Sequence, residues 1–152
     1  MKPEQRLEEL NIQLPDAPQP VAIYRPAVQV GNLLFVSGHG PNRADGTQIT
    51  GRVGVELTIE EAKEAARVTG LCILSTVRNT LGSLNRVVRV VKVLGMVNAT
   101  PDFGEQPQVI NGFSELMMEV FGDPGKGARS AVGMGSLPGN IPVEVEAIFE
   151  VE

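Results

Sequence analysis

Arg129 and Glu144 are the two side chains of this sequence whose chemistries would complement one another at a small-molecule site. An arginine fork grips a planar carboxylate through two parallel, charge-assisted hydrogen bonds, each worth about 1.5–3 kcal/mol. A carboxylate facing the same space can orient a water or take its proton. The turn Leu137-Pro138-Gly139-Asn140 lies between the two, so a hairpin-like return would bring them together. The competing reading is a solvated cross-strand ion pair contributing about 0–1 kcal/mol, and on residue types alone it is the stronger one.

Other reactive residues form weaker constellations. His39 is the only histidine, so a triad would have to use Ser37, which shares its face of an extended strand two residues away. A satisfied loop histidine is the better reading of His39. One histidine and one cysteine, Cys72, do not make a zinc site, and no metal is expected. Gly122-Asp123-Pro124-Gly125-Lys126-Gly127 has the wrong glycine spacing for a phosphate loop and follows a helix instead of a strand. Asp45 and Glu56 sit in or beside a polar loop region and read as solvated. Met117 and Met118 read as core and its margin, and Asn111 is a helix amide with an open role.

The elements that must position these residues follow from patterning. Pro3 to Leu10 fits a short helix, and Pro15 to Pro20 an extended connector. Tyr24–Gln29 and Leu33–Ser37 flank Gly31-Asn32 and read as a hairpin, with Gly51–Val55 as a short third strand. Thr58-Ile59-Glu60-Glu61 is a capping box, and the spacing of small apolar residues predicts one helix over 59–81, ended by Gly82. Leu84–Val97 is valine-rich enough for a central strand. Pro107 opens a second amphipathic helix that ends at Gly122. Two strands close the chain, the last alternating Val143, Val145, Ala147 and Phe149 with Glu144, Glu146, Ile148 and Glu150.

The expected order is β-β-β-α-β-α-β-β, an α+β fold with a mixed sheet of about six strands and two long helices on one face. A valine-rich strand apolar on both sides leaves the other sheet face in need of a cover that no remaining segment supplies. Self-association is the expected answer.

At 152 residues the chain fits one domain, 1–152, with a core of its own. Its longest apolar runs fall far short of the roughly 20 residues that span a bilayer. A net charge of -5, no tryptophan and few aromatics argue against phosphate neutralisation and base stacking, so nucleic acid is not an expected partner. The lone cysteine and an N-terminus without an apolar leader segment point to the cytoplasm.

The pattern Ala128-Arg129-Ser130, then Leu137-Pro138, then Val143-Glu144-Val145-Glu146-Ala147-Ile148 resembles the C-terminal signature of the YjgF/RidA family of enamine/imine deaminases, also called L-PSP endoribonucleases. Val30-Gly31-Asn32 with Ser37-Gly38 resembles a second family segment. Tyr24, thirteen residues before Ser37, stands where the family has a pocket tyrosine. The resemblance covers nearly the whole chain. It implies a chorismate-mutase-like fold, a homotrimeric barrel and sites between subunits. It also implies hydrolytic deamination of small 2-imino or 2-enamino acids without a cofactor. Arg129 would bind the substrate carboxylate with help from the backbone at Gly38, and Glu144 would position water. Tyr24, Ser37, Gly38, His39, Asn111 and Ala131 would line the pocket.

His39 replaces a common family glutamine, while Ala131 and Gly133 stand where larger or acidic residues are usual. The pocket wall beside Arg129 is thereby reshaped, and carboxylate recognition survives better than substrate identity. The alternative from another class is a non-catalytic trimer that binds or senses a metabolite in the same pocket. A ribonuclease is disfavoured by the acidic charge and the single histidine.

Overall fold

The computed structural model describes all residues, 1–152. A short helix α1 (Pro3–Glu9) precedes β1 (Ala27–Val30), β2 (Leu33–His39), α2 (Ile59–Leu81), β3 (Val87–Asn98), α3 (Gln106–Phe121), β4 (Ala128–Met134) and β5 (Val143–Val151). The strands form one mixed sheet in the order β1-β2-β5-β3-β4, antiparallel except for the parallel pair β3/β4.

The long helix begins and ends where its punctuation dictates. The Thr58 hydroxyl accepts from the Glu61 amide at 3.2 Å and the Glu61 carboxylate accepts from the Thr58 amide at 3.1 Å, which satisfies two orphan donors reciprocally. Gly82 closes it in the left-handed region at φ 87°. Its small buried residues, Ala62, Ala65, Ala66, Thr69 and Gly70, let α3 approach closely. A Cβ placed on Gly112 of α3 would collide with the Lys63 backbone carbonyl of α2. The ion pairs Lys63–Glu115 and Arg67–Glu119 flank this contact at 3.2 and 2.9 Å.

Both long helices cover the same side of the sheet. Leu34, Val36, Val93, Val97, Val143, Val145, Ala147 and Phe149 point at them and join a single core cluster with Phe113, Leu116 and Met117. The opposite side carries the other half of the alternation. Val28, Phe35 and Val132 lie exposed there, with Ile148 beside them partly buried. One sheet face is therefore uncovered within the chain, as the valine-rich central strand led us to expect.

The sheet has five strands, not about six. Residues 51–55 make a turn, because Gly51 and Gly54 take φ of 127° and 89° and the Glu56 carboxylate holds the Arg52 amide at 2.9 Å. Only Val53 touches the ladder, through an isolated bridge to Ala99. The first strand starts at Ala27 instead of Tyr24, since Pro26 has no N–H to donate and serves as acceptor for the Ser37 amide at 2.9 Å.

The hairpin expected between the last two strands does not form. Helix α3 returns the chain parallel to β3, so β4 lies on one side of β3, and the connection through 135–142 crosses the end of β3 to lay β5 on the other. Buried Asn98 pins that crossing, its side-chain amide donating to Asn140 Oδ1 at 3.1 Å and to the Ile141 carbonyl at 3.2 Å.

Candidate functional site

Two clusters of candidate residues stand on opposite sides of the sheet. Arg129 pairs in parallel register with Val93, whose side chain is in the helix-facing core, so Arg129 also points to the helix side. There its Nη1 donates to Asn111 Oδ1 at 2.9 Å and to Ser114 Oγ at 3.1 Å, and its Nη2 donates to the Pro107 carbonyl at 3.4 Å. Asn111 and Ser114 are one helical turn apart, on the face of α3 turned toward β4. Three of the five guanidinium hydrogens are thus taken by α3. Nε–H and one Nη2–H are left without a partner in the chain, adjacent donors along one edge of the fork. Ala131 follows on the same side of β4, opposite Gly95, and packs against the core margin.

Glu144 pairs with Met96 on the uncovered side. Its carboxylate lies over Gly38 so closely that a Cβ there would collide with it. No cation pairs with it in the chain, and it is half-buried. Burial pushes its pKa above the ordinary carboxylate value, and the like charge of Glu146, two residues on along the same face, pushes it further the same way.

Gly38 is under Glu144 because β2 bulges. The β2/β5 register shifts between Val36 and His39, leaving Ser37 and Gly38 together opposite one residue of β5. The Ser37 hydroxyl donates to the Arg25 carbonyl at 2.5 Å, which ties the Tyr24-Arg25 segment to the bulge. The Tyr24 side chain is exposed. Beside the bulge the uncovered face holds a depression of about 390 Å³ lined by Val28, Phe35, Ser37, Glu146 and Ile148.

Of the residues singled out in the sequence, Ser37, Gly38 and Glu144 come together on the uncovered face, with Tyr24 tethered nearby. Arg129, Asn111 and Ala131 come together on the other side, at the β4 edge. His39 joins neither group: only 7% exposed, its ring faces the core and bonds to Thr76 of α2, because the bulge turns it to the helix side. Ser37 and His39 therefore do not form a nucleophilic pair. Cys72 is buried, its thiol pushed up in pKa by that burial, and donates to the Asn42 carbonyl. No group of three or more histidine, cysteine or acidic side chains converges as metal ligands would, and no helix is long and apolar enough to cross a membrane.

Ser114 and Thr76 were not anticipated. Ser114 was legible in principle, one turn after Asn111 on the same helix face. Thr76 reads from the sequence only as one more residue of the α2 stripe.

The family model described as "YjgF/chorismate mutase-like, putative endoribonuclease" matches residues 4–148. The chain is 43% identical to Protein TCP17 of Trypanosoma cruzi over 95% of its own length and 91% of the relative's. It is 34% identical to a 2-iminobutanoate/2-iminopropanoate deaminase of Dermatophagoides farinae over 93% and 95% of the two chains. A crystal structure of a protein of unknown function from Agrobacterium tumefaciens superposes with a TM-score of 0.88 at 43% identity, covering 98% of this chain and 91% of that one.

Proposed function

The chain belongs to the YjgF/RidA family, and from that premise we propose that it hydrolyses small reactive 2-imino and 2-enamino acids to 2-oxo acids and ammonia. The observation that carries the reading is that neither Arg129 nor Glu144 enters any ion pair in the chain, so neither is consumed as a surface salt bridge. Because they face opposite sides of one sheet, a single copy does not direct both at one substrate. The site is built where the β4 edge of one copy meets the uncovered face of another, in a homotrimer with sites at its subunit contacts.

In that arrangement the free Nε/Nη2 edge of Arg129 holds the substrate carboxylate side-on, with the Gly38 backbone of the other copy alongside. Ser37 and Tyr24 bound the side-chain pocket. Glu144 takes a proton from water as the water oxygen bonds to the imine carbon, giving a carbinolamine. It returns that proton to the nitrogen, which completes the neutral carbinolamine. It then takes the carbinolamine hydroxyl proton and passes it to the amino group as the C=O bond forms and the C–N bond breaks, so that ammonia and the 2-oxo acid leave. A carboxylate whose pKa is raised by burial suits the first transfer, since it takes the water proton more readily than an ordinary carboxylate does.

The test generates imines in situ with an amino-acid oxidase and follows the release of 2-oxo acid and ammonia across several side chains. Acceleration by wild type that is lost in Arg129→Ala and in Glu144→Gln is the expected result. No acceleration with any imine, from folded protein, would sink the enzymatic reading and leave a metabolite-binding pocket at Arg129.

A further inference from the structure

The single histidine is buried where the proposed chemistry does not use it, yet both its ring nitrogens are bonded. Nδ1 lies 2.6 Å from the Ser37 carbonyl and Nε2 lies 2.7 Å from Thr76 Oγ1. A carbonyl oxygen can only accept, so Nδ1 carries the proton. In the neutral ring Nε2 is then the acceptor for the Thr76 hydroxyl. Burial lowers the pKa of the ring, which keeps it neutral, while its bond to the Ser37 carbonyl acts weakly the other way.

The position of this ring in the fold gives those bonds a purpose. His39 closes the β2 bulge: Ser37 and Gly38 protrude on the uncovered face, and the next side chain drops through to α2. A bulge is a local break in the ladder and needs other bonds to hold its shape. Here Ser37 is fixed three times, by its amide to the Pro26 carbonyl, by its hydroxyl to the Arg25 carbonyl and by its own carbonyl to His39. Thr76 sits in the long helix, whose backbone is a rigid reference. A continuous path thus runs from α2 through Thr76, His39 and Ser37 to Gly38, against which the Glu144 carboxylate rests.

We propose that His39 is a positioning residue, which anchors the Ser37-Gly38 bulge to α2 and so sets the distance and orientation of Gly38 and Ser37 relative to Glu144. It touches no substrate. The role rests on the reading of Glu144 as the water-activating group, but its structural content is measurable without turnover.

With one histidine in the chain, the ring signals of tag-free, 15N-labelled protein need no assignment. The expected spectrum shows the Nδ1–H tautomer at neutral pH, the opposite of what a free imidazole side chain prefers. In His39→Ala, amide exchange at Gly38 is expected to accelerate by about tenfold or more, and the Glu144 titration, followed by 13C, to move down toward the ordinary carboxylate range. His39→Gln, whose amide offers both donor and acceptor groups, restores both. Thr76→Val keeps the ring and removes one bond, and gives the same changes to a smaller extent, which decides the matter if His39→Ala does not fold. Where wild type turns over imines, His39→Ala also shifts the acidic limb of the pH–rate profile, and His39→Gln restores it. An Nε2–H ring, or exchange and Glu144 titration unchanged in both His39→Ala and Thr76→Val, overturns the proposal. Wild type that deaminates nothing overturns the proposed reaction alone, because the ring tautomer, exchange and titration are read without substrate.

Discussion

Arg129 and Glu144 lie fifteen residues apart in the chain and on opposite faces of the same sheet, on strands that β3 separates. In a site made by two copies, each copy gives its arginine to one site and its glutamate to another. Arg129→Ala and Glu144→Gln homo-oligomers are therefore both inactive, but dissociated, mixed in equal amounts and reassociated they regain activity. Random mixing gives an intact pair at about one site in four. Recovery near that level, measured by 2-oxo acid release, confirms the composite site, and none in verified mixed oligomers refutes it.

Under the proposed reaction Glu144 also links function to stability through pH. Its folded pKa is raised above the ordinary 4.5, by burial first and by Glu146 second. Stability contributed by the protonated carboxyl is thus fully present below about 4.5 and lost as pH rises through the folded value. Glu144→Gln escapes that loss. Its melting temperature should match wild type near pH 4 and exceed it by about 1–2 °C at pH 7, a small gain because the group is partly solvated. Equal melting curves at both pH values would remove burial as the cause of the shift.

The closest helix contact gives a prediction about stability alone. At Gly112→Ala the new methyl meets backbone, the Lys63 carbonyl of α2, and not a movable side-chain tip. The two helices must separate, at a cost of about 1–3 kcal/mol, or about 3–10 °C in melting temperature. Gly104→Ala, where nothing lies near the new Cβ, is the control that should change little.

Local punctuation made much of this fold legible. Thr58, Glu61 and Gly82 set both ends of α2, and the alternation from Val143 to Phe149 gave β5 and the face of Glu144. What eluded the sequence was order in space. The turn at 137–140 looks like a hairpin because its local chemistry is that of one, whereas the pairing partner is decided by a crossover that Asn98 secures from far along the chain. His39 was misplaced for a related reason. Two-residue alternation puts it on the face of Ser37, and the bulge reverses that by one residue. No spacing rule announces a bulge whose anchor, Thr76, belongs to another element.

In the proposed reaction the brace on Arg129 is the feature that most directly sets ligand chemistry. With Nη1 held by Asn111 and Ser114 and Nη2 partly by Pro107, the guanidinium cannot swivel, and its free edge presents two parallel donors spaced for one carboxylate. Bonds to a charged donor are worth about 1.5–3 kcal/mol each, but a loosened arginine keeps its charge and some affinity. Asn111→Ala and Ser114→Ala should therefore each raise KM, or the Kd of a simple 2-oxo acid, by about tenfold, with kcat for bound imine falling less. The double variant should lose less than the product of the two factors, since the remaining partner already restrains the same nitrogen. Arg129→Lys, which keeps the charge without the fork, should bind worse than either single variant. Tight carboxylate binding by Arg129→Lys would show that charge alone, and not the held edge, recognises the ligand.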